Sequence, residues 1–226
     1  MDQTSTIIAI SDQHGVLPDI PPCDLLLIAG DVCPVTNHDP DFQTAWLCGE
    51  FRWWLQRLPA GKIVFIAGNH DFVFERHAGF LPADYPATYL QDSGVEWQGL
   101  RIWGTPWQLR FFDWAFNLDE PGLARKWELI PPDTDILLCH SPPYGYGDAI
   151  PQRDGVRHTG SPSLLERIRQ IQPRLVVFGH IHEARGEWQL GNIVLANATI
   201  LDARYQHVYE PWVYTPEGAP AHQDGP

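Results

Sequence analysis

The chain has 226 residues, with 15 basic and 28 acidic side chains, a formal net charge of −13 and 44% hydrophobic residues. This length and composition predict a soluble globular chain that can bury most of its apolar surface. The acidic balance argues against long nucleic acids as the main partner, because phosphate backbones bind patches of Lys and Arg, but it is compatible with small anionic substrates.

The first third of the chain alternates between apolar runs and one helical pattern. Runs over 7–10, 24–29 and 62–67 predict buried strands, and apolar residues at helical spacing predict a helix over 42–58. Pro59 and Gly61 mark the end of that helix. The alternation of strand, helix and strand predicts a parallel sheet, and such sheets place their sites at the carboxyl ends of their strands.

The middle of the chain is rich in aromatic residues. Short strands are predicted over 95–97 and 100–104, joined by a turn at Gln98 and Gly99. Six aromatic residues follow within a short stretch: Trp103, Trp107, Phe111, Phe112, Trp114 and Phe116. Two interpretations of the segment 97–116 stay open: core and loop packing, or a wall that stacks a base or an aromatic leaving group.

The last part returns to alternating helices and strands. A helix is predicted over 120–129, and a second one starts with Ser161 as N-cap and Pro162 in the first turn. Strands are predicted over 135–139, 174–178, 193–196 and 206–214, with a loop over 141–147. We expect a single domain over 1–214 and a polar, flexible tail over 215–226.

The four cysteines show no metal-binding or redox spacing, and no signal peptide or membrane-length apolar run is present. We therefore expect a cytoplasmic protein with reduced thiols and no membrane partner. The sequence does not indicate an oligomeric state or an organic cofactor.

Metal-ligand side chains follow most of the predicted strands. Asp12 and His14 are two residues apart, so in an extended segment both would point to the same side. Asp31 follows Gly30, and its two oxygens can bridge two metal ions. The other candidate ligands are Asn69, His140, His180 and His182. A mixed oxygen and nitrogen set suits Mn, Fe or Zn better than Ca or Mg.

The ordered motifs resemble those of the calcineurin-like metallophosphoesterases, over about residues 7–197. They are DQH at Asp12, GD at Gly30, GNHD at Gly68, CH at Cys139 and GHIH at Gly179. The motifs around Cys139 and Gly179 are most similar to the small, brain-expressed metallophosphoesterase-domain-containing proteins and their bacterial relatives.

This resemblance implies a four-layer αββα sandwich, in which two mixed sheets are flanked by helices. It implies one metal site formed by Asp12, His14, Asp31 and His182. It implies a second site formed by Asp31, Asn69, His140 and His180.

The resemblance further implies that His70 contacts the phosphate and protonates the leaving oxygen. Asp71 would orient the His70 ring, with capping of the next helix as the alternative role for Asp71. Two divalent transition metal ions are implied, with Mn favoured and Fe, Zn, Co or Ni left open.

We expect hydrolysis of small phosphodiesters, nucleotide esters among them. The alternatives are a phosphomonoesterase, protein phosphatase or nuclease of the same fold, and a catalytically silent scaffold.

Overall fold

The computed structural model describes residues 5–77 and 79–215. The strands in chain order are β1 (Ile7–Ile10), β2 (Cys23–Ala29), β3 (Ala60–Ile66), β4 (Thr88–Tyr89), β5 (Ser93–Trp97), β6 (Leu100–Thr105), β7 (Gln108–Leu109), β8 (Asn117–Leu118), β9 (Ile136–Cys139), β10 (Ala149–Gln152), β11 (Gly155–His158), β12 (Leu175–Phe178), β13 (Gly186–Leu190), β14 (Ile193–Asn197) and β15 (Trp212–Tyr214).

The helices are α1 (Pro40–Trp46), α2 (Arg52–Leu55), α3 (Phe72–Arg76), α4 (Glu120–Trp127) and α5 (Pro162–Ile171). A π-helical turn, Leu47–Phe51, joins α1 to α2, and a short 3₁₀ turn covers His182–Ala184. None of the helices in the described ranges is long and apolar enough to cross a membrane.

Two mixed sheets form the centre of the fold. The first has the strand order β15-β1-β2-β3-β4 and is parallel except for β15. The second has the order β13-β14-β12-β9-β6-β5, with antiparallel strands at both edges and parallel strands between them. The predicted mixture of parallel and antiparallel pairing is confirmed.

The alternation of side chains along each strand separates three hydrophobic layers. In β1, Ile7 and Ala9 face the second sheet, whereas Ile8 and Ile10 face the helices. The outer face of the first sheet packs against α1, the π-helical turn, α2 and α3. The outer face of the second sheet packs against α4 and α5. The predicted four-layer αββα sandwich is therefore confirmed.

Most predicted elements are present with shifted ends. The helix predicted over 42–58 begins earlier, because the Asp39 carboxylate caps it by accepting hydrogen bonds from the backbone N–H groups of Asp41 and Phe42. Ser161 caps α5 as expected, since its hydroxyl oxygen accepts from the N–H of Leu164.

The strand predicted over 206–214 is wrong in its first part, because only Trp212–Tyr214 pairs with the sheet. The Asp202 carboxylate instead accepts hydrogen bonds from the backbone of Arg204 and Gln206, which turns the chain. The tail expected over 215–226 lies outside the described residues except for residue 215.

Candidate metal centre

The predicted ligands meet at one edge of the two sheets, where five parallel strands end. Asp12, Asp31 and Asn69 lie on the loops after β1, β2 and β3, while His140 and His180 follow β9 and β12. The loops are tied together by backbone hydrogen bonds, such as Asp12 N to Gly30 O at 3.0 Å and His14 N to Asp31 O at 2.9 Å. The fold therefore fixes the donors before any ion binds.

Four of these residues have left-handed backbone conformations, which are rare outside glycine. The φ angles are 55° for Asp12, 46° for His14, 54° for Asp31 and 70° for His180. The expectation that Asp12 and His14 share an extended segment is therefore wrong. Their side chains converge because the backbone turns sharply, and such local strain is typical of functional sites held by surrounding structure.

Two glycines let the loops approach these side chains. Gly30 has a φ of 97°, and a Cβ there would lie 2.7 Å from His140 Nδ1. A Cβ at Gly179 would overlap the Asp12 carboxylate, whose oxygens accept hydrogen bonds from His180 N at 2.9 and 3.0 Å. Any larger side chain at these positions would displace a candidate ligand.

The Asp31 carboxylate lies between the two predicted ligand sets. Its Oδ2 atom is 3.6 Å from His14 Nε2 and 3.5 Å from His140 Nε2. Donor atoms of Asp12, His14 and His182 lie within 4.8 Å of one another, as do those of Asp12, Asp31 and His140. One carboxylate is thus within reach of nitrogen donors from both sets.

The Asn69 side chain lies between His140 and His180. Its Oδ1 atom is 2.8 Å from His140 Nε2 and 2.8 Å from His180 Nδ1. Within the described residues its buried Nδ2 has no hydrogen-bond partner. The side chain is thus held by its oxygen alone, and that oxygen is the atom with which an amide coordinates a metal ion.

The second ring nitrogen of two histidines is occupied by a backbone carbonyl. His140 Nδ1 lies 2.9 Å from Ala29 O, and His182 Nδ1 lies 3.0 Å from Asp202 O. A carbonyl only accepts hydrogen bonds, so Nδ1 carries a proton in each ring and Nε2 is the atom directed towards the other donors. Metal-binding histidines are commonly oriented in this way.

The pKa values of the buried groups in the site favour the binding of cations. Burial, followed by the charges of Asp71 and Asp12, raises the pKa of Asp31 well above its usual value. Burial lowers the pKa of His14 well below its usual value and that of His180 to about 3, so both rings are neutral at pH 7. Neutral imidazoles and crowded buried carboxylates fit a divalent ion, which stabilises both.

Asp12 and His182 form a buried ion pair in the site, with His182 Nε2 3.5 Å from Asp12 Oδ1. Burial opposes the charged form of each, but their mutual attraction outweighs it. It raises the pKa of His182 to about 9 and lowers the pKa of Asp12 well below its usual range. His182 would therefore have to release a proton before it could bind a metal ion.

The Asp71 carboxylate is hydrogen-bonded to two neighbouring loops. Its carboxylate accepts hydrogen bonds from the backbone N–H groups of Gly68, Cys33 and Val32, at 2.8, 2.8 and 3.1 Å. Asp71 is the N-cap residue of α3, but its side chain makes no capping hydrogen bond. Within the described residues the His70 ring is hydrogen-bonded to His38 and not to Asp71. The charge attracts N–H donors from two loops and thereby fixes Asp31 relative to Asn69.

His70 lies beside the donors, with its ring held by other residues. Its backbone N–H donates to Asp31 Oδ1 at 2.7 Å, and its ring stands 4.6 Å from that of Trp114. Its Nδ1 atom lies 3.0 Å from Nε2 of His38, a residue that the sequence motifs did not single out. Burial, followed by the charge of His38, lowers the pKa of His70 to about 3.

A cavity of about 770 Å³ opens above these side chains. Five of the predicted ligands line it, together with His70 and with residues from three other parts of the chain: Arg110, Phe111 and Trp114; Tyr144, Ile150 and Arg157; Ala203 and Tyr205.

Part of the aromatic segment 97–116 packs in the core, and part of it lines the cavity, so each of the two interpretations applies to some of its residues. Phe116 is buried in the core, whereas Phe111 and Trp114 face the cavity. Sequence motifs missed Tyr205 and Arg157, because neither follows a predicted strand.

Comparisons with known proteins point in one direction. The sequence model described as calcineurin-like phosphoesterase matches residues 3–184. Metallophosphoesterase domain-containing protein 1 of Homo sapiens is 35% identical over 237 residues, which covers 91% of this chain and 69% of that protein. A UPF0046 protein of Caenorhabditis elegans is 31% identical over 233 residues, covering 92% of this chain and 79% of that protein.

Solved structures share the fold at low sequence identity. A phosphopantetheinyl hydrolase of Mycobacterium tuberculosis aligns with a TM-score of 0.61 and 16% identity, over the full length of both chains. TT1561 of Thermus thermophilus aligns with a TM-score of 0.57 and 16% identity, over 94% of this chain and 99% of that one.

Proposed function

Because the chain belongs to the calcineurin-like phosphoesterase family, a family of metal-dependent phosphoester hydrolases, we propose that it hydrolyses small phosphodiesters, nucleotide-type esters among them, with two divalent metal ions. The observation that carries the proposal is the position of Asp31 Oδ2, at 3.6 and 3.5 Å from one imidazole of each ligand set.

The chain offers a complete donor set for two ions. Asp12, His14, Asp31 and His182 would hold one ion, and Asp31, Asn69, His140 and His180 would hold the other. When bound, such ions activate water and stabilise charge on the phosphoryl oxygens, and Mn is the ion we favour. The neutral amide of Asn69 in place of a further carboxylate leaves a modest positive excess, which matches the single charge of a diester.

His70 is the proposed catalytic side chain that is not a ligand. Its main chain is tied to Asp31 and one ring nitrogen to His38, so the rest of the ring is directed towards the cavity. The low pKa keeps the ring neutral at pH 7, and an anionic substrate beside it favours a proton on the ring. From that position His70 assists departure of the leaving oxygen.

The cavity fits organic groups as well as phosphate. Its volume lies within the range of small-molecule sites, and much of its lining is aromatic or aliphatic. Phe111 and Trp114 stand on one side, and Tyr144 and Ile150 belong to a different part of the chain. A cavity lined by separate segments can hold two organic groups at once. It therefore suits a phosphodiester better than a phosphomonoester.

The experiment is a paired assay on the reconstituted protein. Purified protein is stripped with a chelator, reloaded with Mn and assayed on bis(p-nitrophenyl) phosphate and on p-nitrophenyl phosphate. We expect a higher kcat/KM for the diester, loss of activity in Asn69→Ala, and wild-type activity in the surface control Asp84→Asn. A clear preference for the monoester would support a phosphomonoesterase, and failure to take up any metal would support a silent scaffold.

A further inference from the structure

Two exposed arginines line the cavity. Arg110 and Arg157 are the basic side chains that line it besides histidines. Within residues 5–77 and 79–215, neither guanidinium forms an ion pair, a side-chain hydrogen bond or a cation–π contact, whereas Arg52 and Arg185 do. Both side chains are exposed, so they can meet an anion that enters the cavity of this chain, whose net charge is −13.

The two arginines come from independent elements. Arg110 follows β7, and its main chain is fixed by a hydrogen bond from its N–H to Leu118 O at 2.9 Å. Arg157 lies on β11, opposite Ile150 of β10 in the antiparallel ribbon. Directly opposed residues share one face of a ribbon, and both Ile150 and Arg157 line the cavity. The ribbon thus presents Arg157 to the cavity by its register.

The acidic residues of the cavity wall do not neutralise this pair. Glu120 Oε1 accepts hydrogen bonds from Ser161 Oγ and from both N and Oγ of Ser163. Its buried Oε2 has no hydrogen-bond partner within the described residues, so Glu120 forms no ion pair with either arginine. Glu183 is exposed and lies next to the candidate ligand His182, and Asp31 is itself a candidate ligand. Both guanidinium groups therefore remain available to an anion from solution.

We infer that Arg110 and Arg157 bind a second phosphate group of the substrate, so that the substrate class is a phosphodiester carrying a further terminal phosphate. The inference rests on the proposed function, in which the metal centre holds the scissile phosphate. Guanidinium forks match phosphate oxygens in geometry and charge, and each such contact contributes about a factor of ten in affinity.

The test uses two substrates that differ in one phosphate. They are the p-nitrophenyl ester of thymidine 5′-phosphate and the same ester with an added 3′-phosphate, assayed with Mn-loaded protein at low ionic strength. We expect a kcat/KM about tenfold or more higher for the 3′-phosphorylated ester, decreasing with added salt. In Arg110→Gln/Arg157→Gln the ratio should approach one. The matched control is Arg153→Gln, at the turn of the same ribbon and away from the cavity lining, which should keep the wild-type ratio.

The results of these assays distinguish a failure of this inference from a failure of the proposed function. A wild-type ratio of one or less, or a ratio that persists in the double variant, overturns the second phosphate site while diester hydrolysis stands. If neither ester is hydrolysed, the proposed function fails, and calorimetric binding of thymidine 5′-phosphate and thymidine 3′,5′-bisphosphate decides the inference. Tighter binding of the bisphosphate by wild type and Arg153→Gln, but not by the double variant, supports it, and any other pattern overturns it.

Discussion

The Nε2 atom of His38 lies 3.0 Å from the Nδ1 atom of His70. A histidine from the loop before α1, rather than the adjacent Asp71, therefore holds the imidazole that faces the cavity. The His38 ring also packs at 4.9 Å against that of Phe72, which limits its own movement. His38 is thus a positioning residue for His70.

Replacing His38 with Ala should lower kcat about fivefold, because one hydrogen bond of roughly 1 kcal/mol no longer fixes the His70 ring. KM and metal content should stay near the wild-type values, since His38 is outside both proposed ligand sets. Steady-state kinetics and elemental analysis measure these quantities.

The conservative variant His38→Gln provides the control, because its amide can still reach a ring nitrogen. Partial recovery of kcat in this variant is expected. Equal losses in both variants, or a loss of metal in either one, would contradict a positioning role.

Replacing Asp31 with Ala should reduce kcat by about a hundredfold or more and lower the occupancy of both metal ions. The reason is the position of its Oδ2 atom near imidazoles of both ligand sets. Metal-to-protein ratios of the purified variant and of wild type, measured after reloading, provide the readout. Asp84→Asn, which removes an exposed partner of Arg52, should match wild type. A variant that loses only one ion would assign the bridging role to another residue.

Replacing His70 with Ala should reduce turnover more than metal loading. Proton transfer to a leaving group contributes about 100- to 10,000-fold, and it matters most for a poor alkoxide leaving group. The defect should therefore be larger for a nucleotide alkyl ester than for a nitrophenyl ester. If both substrates slow equally, His70 clamps the phosphate and does not act as the acid.

Replacing Asp71 with Asn should destabilise the fold by about 2 kcal/mol and weaken metal binding as a consequence. The amide of Asn brings an N–H donor towards backbone N–H groups that now donate to a carboxylate. Chemical denaturation of the metal-free protein measures the free energy of unfolding.

For comparison, Asp84→Asn loses only an exposed ion pair and should change stability by less than about 1 kcal/mol. An unchanged stability of Asp71→Asn would show that the Asp71 carboxylate does not hold the two loops together.

Metal affinity should increase with pH through the neutral range. The raised pKa of His182, about 9, means that this ring carries a proton at pH 7 in the metal-free protein. A metal ion must displace that proton, so this group alone makes the apparent affinity rise by about tenfold per pH unit below pH 9.

Titration of the metal-free protein with Mn at pH 6.5 and 7.5 tests this, with proton release followed in weak buffer. His182→Asn lacks the proton and should show a shallower pH dependence. An affinity that is independent of pH would mean that His182 is not protonated in the metal-free site.

The sequence by itself determined the main strands of the fold and the residue types of the candidate site, whereas the four layers were implied by the family resemblance. Apolar runs at residues 7–10, 24–29 and 62–67 form β1, β2 and β3, because side-chain periodicity and burial are local properties of the chain. Residue types such as Asp12, Asn69 and His140 were recognisable because each follows such a run.

Only the tertiary structure decided how these side chains are held. The left-handed turns at Asp12 and His14 exist because the β1 and β2 loops hydrogen-bond to each other, which no local spacing encodes. The same holds for Asp71 and for the His38–His70 contact, which join residues more than 30 positions apart. Long-range hydrogen bonds and the register of the β10–β11 ribbon depend on how the strands assemble, so they became visible only once the chain was folded.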